Sequence, residues 1–199
     1  MRSQTILMAT LVALLGITLA TPALAHPALL PHSHGGGGFT AGLLHPLTGL
    51  DHLLAMGAIG LWSARQSATL RRWMPLLVAL GMLAGAGLAW AGVPLTGVEF
   101  GIAMSVLLAG ILIAAMVRLP TAAGGALVFA FILLHGHAHG SELAPEASAL
   151  YYALGFLASS VTITLAGRGL GGWLARRDNR LSRVLGGVIV MAGGALALG

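Results

Sequence analysis

Histidine and acidic residues are concentrated in two short stretches of this chain, and both stretches lie within otherwise apolar sequence. The first stretch, residues 45–52, reads HPLTGLDH, and the second, residues 135–142, reads HGHAHGSE. Ionisable side chains are costly inside a bilayer, where they usually face a cavity or the interior of a helix bundle and have a function. These two stretches are therefore the first candidates for a functional site.

The spacing in the first stretch predicts a stripe of metal-binding side chains along one face of a helix. Residues four or seven positions apart share a face, and His52 follows His45 by seven while Met56 follows His52 by four. Asp51 can bind a metal directly, or it can accept a hydrogen bond from a ligating imidazole and fix its tautomer. Pro46 suits the first turn of a helix, which would leave His45 at a flexible cap.

The second stretch predicts a similar stripe, because His135, His139 and Glu142 are separated by four and three positions. His137 lies off this stripe unless the neighbouring glycines unwind the end of the helix. Glu99 is a further acidic candidate, since it begins another apolar segment of the chain.

Imidazole and carboxylate groups together suit nickel, cobalt, zinc and copper(II). The chain has no Cys, which excludes thiolate metal sites, disulfides and thiol nucleophiles. Because the chain has eight Met residues, a copper(I) site stays an alternative, but only Met56 lies on a histidine stripe. Two other uses of the same groups stay open: hydrogen bonds between helices, and a proton relay such as that of a metal/proton antiporter.

The composition of the whole chain is that of an integral membrane protein. Among its 199 residues, 57% are hydrophobic and 8% are charged, whereas a soluble domain has about 25% charged residues. The mean hydropathy is +0.93, so the chain needs the lipid bilayer as its solvent. The formal charge of +5 comes from ten basic residues, all of them Arg. These Arg residues lie mostly between the apolar segments, where the cytoplasmic loops of a membrane protein carry positive charge. The charge therefore does not require a nucleic-acid partner.

Residues 1–25 are predicted to form a cleaved secretory signal peptide. Arg2 supplies the positive n-region, residues 6–20 form the apolar h-region, and residues 23–25 provide an A-x-A cleavage site. The mature chain would then begin at His26, outside the inner membrane of a bacterium. An uncleaved first transmembrane helix is the alternative.

Residues 39–199 are predicted to form an all-α domain of six transmembrane helices. A span needs about 20 apolar residues, and six segments are candidates: 39–64, 73–92, 97–117, 121–140, 146–166 and 181–199. With residue 26 in the periplasm, every Arg of the mature chain falls in a cytoplasmic loop, as the positive-inside rule requires. Both histidine stripes and Glu99 then lie toward the periplasmic side, where they can form one metal-binding layer.

Residues 26–38 form a His- and Gly-rich segment that is predicted to be periplasmic. His26, with its new α-amine, and the pair His32 and His34 could capture metal outside the membrane, with the glycines at 35–38 as a flexible tether. An ordinary polar linker explains the same composition.

The motifs of several enzyme classes do not occur in this sequence. It has no ATP-binding GxxxxGK[ST] loop, no Rossmann fingerprint and no GxSxG, so neither ATP hydrolysis nor a catalytic cofactor is predicted. Ser141, Ser159 and Ser160 raise the alternative of an intramembrane serine protease, but no Ser stands in a nucleophile-like turn beside a His. The chain is therefore predicted not to be an enzyme, and any transport would be secondary or facilitated.

The two motifs resemble those of the HupE/UreJ family. Residues 45–52, followed by Met56 and by GLW at 60–62, look like the family's H-P-x-x-G-x-D-H…G-L-W motif, and residues 135–142 resemble its H-G-x-A-H-G-x-E motif. The resemblance covers essentially the whole chain. The separate nickel–cobalt transporter family has H-x₄-D-H, whereas this chain has H-x₅-D-H, so that family is an analogy only.

The resemblance implies a permease for nickel, or in some members cobalt, that supplies metal to hydrogenase or urease maturation proteins. It assigns the required roles to the residues of the two motifs, namely His45, Asp51, His52, His135, His139 and Glu142. The other partners would be the metal ion and the bilayer. Two alternatives stay open: a membrane accessory or sensor that binds metal without transporting it, and a permease for another metal such as copper or zinc.

Overall fold

The computed structural model describes residues 37–198, and the regular structure of these residues is entirely helical. Seven helices follow one another: α1 Gly37–Thr48, α2 Leu50–Ser63, α3 Ala68–Trp90, α4 Val98–Ala114, α5 Thr121–Ser141, α6 Ala149–Ala175 and α7 Asn179–Leu198. The predicted all-α class is confirmed for this part of the chain. The predicted signal peptide and nearly all of the segment 26–38 lie outside the described residues.

Four of these helices, α3, α5, α6 and α7, are long and apolar enough to cross a membrane. Helix α4 is apolar but shorter, with 17 residues. The predicted first span, 39–64, is divided into α1 and α2 at Gly49, whose φ of −76° and ψ of 111° are those of extended chain. Backbone hydrogen bonds from Gly49 N–H to the His45 carbonyl (3.0 Å) and from Leu53 N–H to the Gly49 carbonyl (2.9 Å) hold α1 and α2 end to end.

Pro46 lies inside α1, near its end, and not in the first turn of a helix as predicted. Because proline has no N–H, it leaves the carbonyl of Gly42 without its helical partner and weakens the helix around it. The helix then breaks at Gly49, since glycine is a poor helix former. His45 is consequently held in the last turn of α1 and is not a flexible cap residue.

Two helices extend further than predicted. Helix α3 begins before the predicted residue 73, because the Ser67 hydroxyl caps it by accepting a hydrogen bond from the Leu70 N–H at 3.2 Å. Helix α6 continues past the predicted end at residue 166, because glycines keep it in close contact with α2. Three arginines of these two helices that were predicted to lie in loops therefore lie within the helices: Arg71, Arg72 and Arg168. The same holds for Arg180 and Arg183, which lie within α7.

Glycines bring the helices into backbone contact. A Cβ on Gly60 of α2 would overlap the Thr164 carbonyl of α6, and a Cβ on Gly136 of α5 would overlap the Met82 carbonyl of α3. The closest helix pairs are α3 with α5, α4 with α7, and α6 with both α1 and α2. Small residues that let backbones approach in this way are typical of helices that associate in lipid.

The directions of the helices bring the two histidine stretches to one end of the bundle. Helices α1 and α2 run parallel to α6, with Gly42 beside Tyr152 and Gly57 beside Gly167. Helix α5 runs parallel to α3, with Gly124 beside Leu70 and Gly140 beside Ala86. The ring of His139, near the end of α5, contacts both His52 of α2 and a residue in the early part of α6. The beginning of α2, the end of α5 and the early turns of α6 therefore meet.

Candidate metal centre

Three histidines from three helices converge at this meeting point. His45 of α1, His52 of α2 and His139 of α5 each offer one ring nitrogen, and these nitrogens lie within 4.8 Å of one another. The ring centroids are 5.6 Å apart for His45 and His52, 4.7 Å for His45 and His139, and 4.4 Å for His52 and His139. His52 is 4% exposed and His139 is 0% exposed, so the cluster is largely closed to solvent.

His135 adds a fourth imidazole, one helical turn before His139. Its side chain is fully buried, and its ring centroid lies 5.0 Å from that of His52. Its Nδ1 lies 2.9 Å from the Phe131 carbonyl. A carbonyl only accepts hydrogen bonds, so Nδ1 must carry the proton and Nε2 holds the free lone pair. This is the tautomer that a metal-ligating imidazole needs.

Two carboxylates fix the orientation of two of the histidines. Asp51 Oδ1 accepts a hydrogen bond from His52 Nδ1 at 3.0 Å, which leaves His52 Nε2 free. Glu142 Oε2 lies 2.7 Å from His45 Nε2. The Glu142–His45 pair is the more exposed of the two, with side chains 40% and 33% exposed. The cluster therefore has a buried interior of imidazoles and an outer rim where a carboxylate reaches solvent.

The buried polar atoms without a hydrogen-bond partner are concentrated here. Among residues 37–198 they are His52 Nε2, His135 Nε2, both ring nitrogens of His139, and Ser160 Oγ. Leaving such an atom unsatisfied costs about 1–3 kcal/mol. Imidazole nitrogens with free lone pairs that face one another are the arrangement that a divalent cation can occupy.

The absence of a side chain at Gly49 leaves room for the Asp51–His52 pair. A Cβ on residue 49 would lie 3.0 Å from Asp51 Oδ1 and 3.2 Å from His52 Nδ1, tighter than ordinary van der Waals contact. The glycine at this position thus leaves room for the hydrogen bond that orients His52.

The structure does not bring the other predicted ligands into the cluster. His137 lies on the opposite face of α5, where its Nε2 donates a hydrogen bond to the Val93 carbonyl at 2.9 Å. Glu99 is exposed in the first turn of α4 and has no ion pair with a described histidine. Met56 is fully buried in the apolar core, one turn after His52. His26 lies outside the described residues.

Helix α6 contributes two residues that the sequence did not link to the histidines. The ring of Phe156 stacks on His139, with centroids 5.2 Å apart and planes 15° from parallel. Ser160 follows Phe156 by one turn on the same face of α6 and is completely buried. No local pattern in the sequence pairs Phe156 with His139, because the contact depends on how α6 packs against α1 and α2.

The helices and this cluster define the class of the protein: an all-helical membrane protein with a buried group of histidines and carboxylates. The family model described as "HupE / UreJ protein" matches residues 12–196. Protein HupE of Rhizobium leguminosarum bv. viciae is 37% identical over 182 residues, which cover 91% of this chain and 94% of that relative. The chain therefore belongs to the HupE/UreJ family. No solved structure matches it significantly.

Proposed function

We propose that this protein is a secondary permease for a divalent transition metal, with Ni²⁺ as the first candidate and Co²⁺ as the second. The observation that carries this proposal is the convergence of His45, His52 and His139, whose ring nitrogens lie within 4.8 Å of one another. The metal is the transported substrate and not a resident cofactor. In this role His135 would be a fourth imidazole, and Glu142 would receive the metal from outside.

The donor set argues for a borderline metal. Neutral imidazole and carboxylate suit Ni²⁺, Co²⁺, Zn²⁺ and Cu²⁺, and the absence of Cys removes the thiolates that soft metals prefer. Nickel is placed first because the resemblance to the HupE/UreJ family implies supply of nickel to hydrogenase or urease maturation. Met56, which follows His52 by one turn, would lie on the inward side of the site.

The helix break supports a site for a cation in the membrane. Broken helices are a recurring way to build ion sites in transporters, because the ends of the half-helices carry partial charges. The carbonyl end of α1 attracts a cation, whereas the N-terminal end of α2 repels it. Asp51, in the first turn of α2, supplies a negative charge that offsets this repulsion.

We infer a topology of six spans, with α1 and α2 together as the first and α4 as the third. The signal peptide of residues 1–25 would be removed, and the segment 26–38 would lie in the periplasm. An inward-negative potential favours the entry of a divalent cation by about 4.6 kcal/mol per 100 mV, at about 2.3 kcal/mol per charge. Uptake would therefore need no ATPase.

Transport is tested with the purified chain, free of any polyhistidine tag, in liposomes that contain a nickel-sensitive dye. We expect the dye to respond to external Ni²⁺, and to respond faster when a valinomycin potential makes the interior negative. Protein-free liposomes are the control. Saturable binding of Ni²⁺ without any flux would contradict the permease and favour a metal-binding accessory or sensor.

Asp51→Asn should weaken Ni²⁺ binding by about tenfold, and Asp51→Ala by up to about 100-fold, which is the usual effect of losing a partner that orients a ligating histidine. Asparagine can still accept the proton of His52 Nδ1, but it lacks the negative charge. Isothermal titration of the detergent-solubilised protein measures the affinity.

The matched control for this acid is Asp178→Asn. Asp178 lies before α7 and accepts a hydrogen bond from the Arg180 N–H at 2.8 Å, so its loss removes one charge without touching the cluster. Equal affinities for the wild type and both Asp51 variants would contradict the role of Asp51.

A further inference from the structure

Four arginines line an open groove at the end of the bundle away from the histidines. The groove has a volume of about 580 Å³ and lies between the start of α3 and the last turns of α6, with small residues between the arginines Arg71, Arg72, Arg168 and Arg176. At about 1.5 Å per residue, Arg168 lies roughly 18 Å further along α6 than Phe156. The groove is therefore separate from the candidate metal centre.

None of these four guanidinium groups is paired with a carboxylate in the part of the chain that the structure describes, where the ion pairs are those of His45 and His52. Two of them are held by backbone carbonyls instead. Arg168 Nη1 donates to the Arg71 carbonyl at 3.2 Å, and Arg71 Nη1 donates to the Ala64 carbonyl at 3.4 Å. Like charges around one groove repel each other, and an anion in the groove relieves that repulsion.

The exposed aromatic residues near this groove indicate that it lies at the level of the lipid headgroups. Trp73, directly after Arg72, is 49% exposed, and Trp173 on α6 is 38% exposed. The guanidinium of Arg177 lies 5.4 Å from the centre of the Trp173 ring. Exposed Trp residues collect at the level of the lipid headgroups. Further along α3, exposed Leu side chains continue from this level into the apolar region, at Leu76 and Leu80.

We propose that the groove binds the phosphate of an anionic phospholipid, with the acyl chains along the exposed leucines of α3. Arginine presents a planar fork of donors that matches phosphate oxygens, and basic pockets between transmembrane helices bind anionic headgroups. The apolar surface beside the groove favours a lipid over a free phosphate, although both share the same phosphate chemistry. The proposal stands independently of metal transport.

The test is native mass spectrometry of the full chain in neutral detergent, titrated with cardiolipin or with phosphatidylcholine. We expect retention of cardiolipin and little retention of phosphatidylcholine. The double variant Arg71→Gln/Arg168→Gln should bind cardiolipin roughly 30-fold more weakly, since each arginine near a membrane surface contributes a factor of about five. Arg71→Lys/Arg168→Lys keeps the charge and thus the topology, and it should show an intermediate loss because the bidentate fork is gone.

The matched control is Arg118→Gln/Arg180→Gln, which removes the same two charges from exposed positions outside the groove. This variant should bind cardiolipin like the wild type. An equal loss in the control and groove variants would overturn the proposal, because it would mean a general effect of charge. Full displacement of cardiolipin by inorganic phosphate or polyphosphate at matched phosphate concentration would also overturn it, in favour of a soluble anion.

Discussion

Replacing His52 or His139 with alanine should abolish nickel uptake, with a loss of more than about 100-fold. The two side chains are almost completely buried and their ring centroids are 4.4 Å apart, so each variant removes one imidazole from the centre of the cluster. Losing only a partner that orients a ligand already costs about 10–100-fold, and losing the ligand itself should cost more. Uptake of ⁶³Ni²⁺ by cells that express each variant measures the effect.

The chain supplies its own control for this experiment. His137 is also buried and lies on the same helix as His139, but its Nε2 donates to the Val93 carbonyl. His137→Ala should keep most of the uptake, and a membrane fraction should contain all three variants at similar levels. Normal uptake by both His52→Ala and His139→Ala would end the assignment of these residues as ligands. A loss in His137→Ala as severe as theirs would contradict the geometry proposed for the site.

Gly85→Ala should destabilise the protein strongly, by about 1–3 kcal/mol or more, because extra atoms in a packed interior force the backbone to shift. A Cβ on Gly85 would overlap the Leu133 carbonyl of α5 and lie 2.6 Å from the His137 backbone nitrogen. Both contacts are with backbone atoms of α5, which cannot move aside by a rotamer change as a side chain can. Since α3 packs along the part of α5 that carries His135 and His139, the variant should also lose nickel binding.

The control for this steric prediction lies two residues further along the same helix. A Cβ on Gly87 would meet nothing within 4 Å, and alanine is the better helix former by about 1 kcal/mol. Gly87→Ala should therefore be as stable as the wild type or slightly more stable. Thermal unfolding in detergent, followed by circular dichroism, compares the two variants. Similar midpoints for both would show that α3 and α5 are not packed as closely as the structure has them.

The candidate metal centre and the arginine groove divide the bundle into two ends with different chemistry. The end with the histidines has imidazoles and carboxylates that suit a cation. The other end has guanidinium groups that are not paired with any carboxylate of the described residues and that suit an anion. Helix α6 contributes to both ends, and Ala64, the residue directly after α2, also lines the groove. A lipid bound in the groove would therefore contact the helix that holds Phe156, and the groove variants can be assayed for nickel uptake as well as for lipid.

The helical class and the membrane environment could be predicted from composition, because 8% charged residues in 199 cannot cover a soluble surface. Three of the helices, α4, α5 and α7, were also located to within about three residues at each end, since apolar length and helix length are linked through the thickness of the bilayer. The prediction of an unbroken first helix was wrong. Pro46 was predicted in the first turn of a helix, but it lies near the end of α1, and the break follows at Gly49. A Cβ at that position would crowd the Asp51–His52 pair.

The sequence by itself determined which side chains can bind a metal and which of them share a helix face. Helical spacing separated His135 and His139 from His137, and the structure has His137 on the other face. Only the tertiary structure decided which face of each helix turns inward, that His45, His52 and His139 meet, and that Phe156 of α6 covers His139. The physical reason is that periodicity is a local property of the chain. The rotation of each helix depends on backbone contacts between residues far apart in sequence, such as Gly60 with Thr164 and Gly136 with Met82.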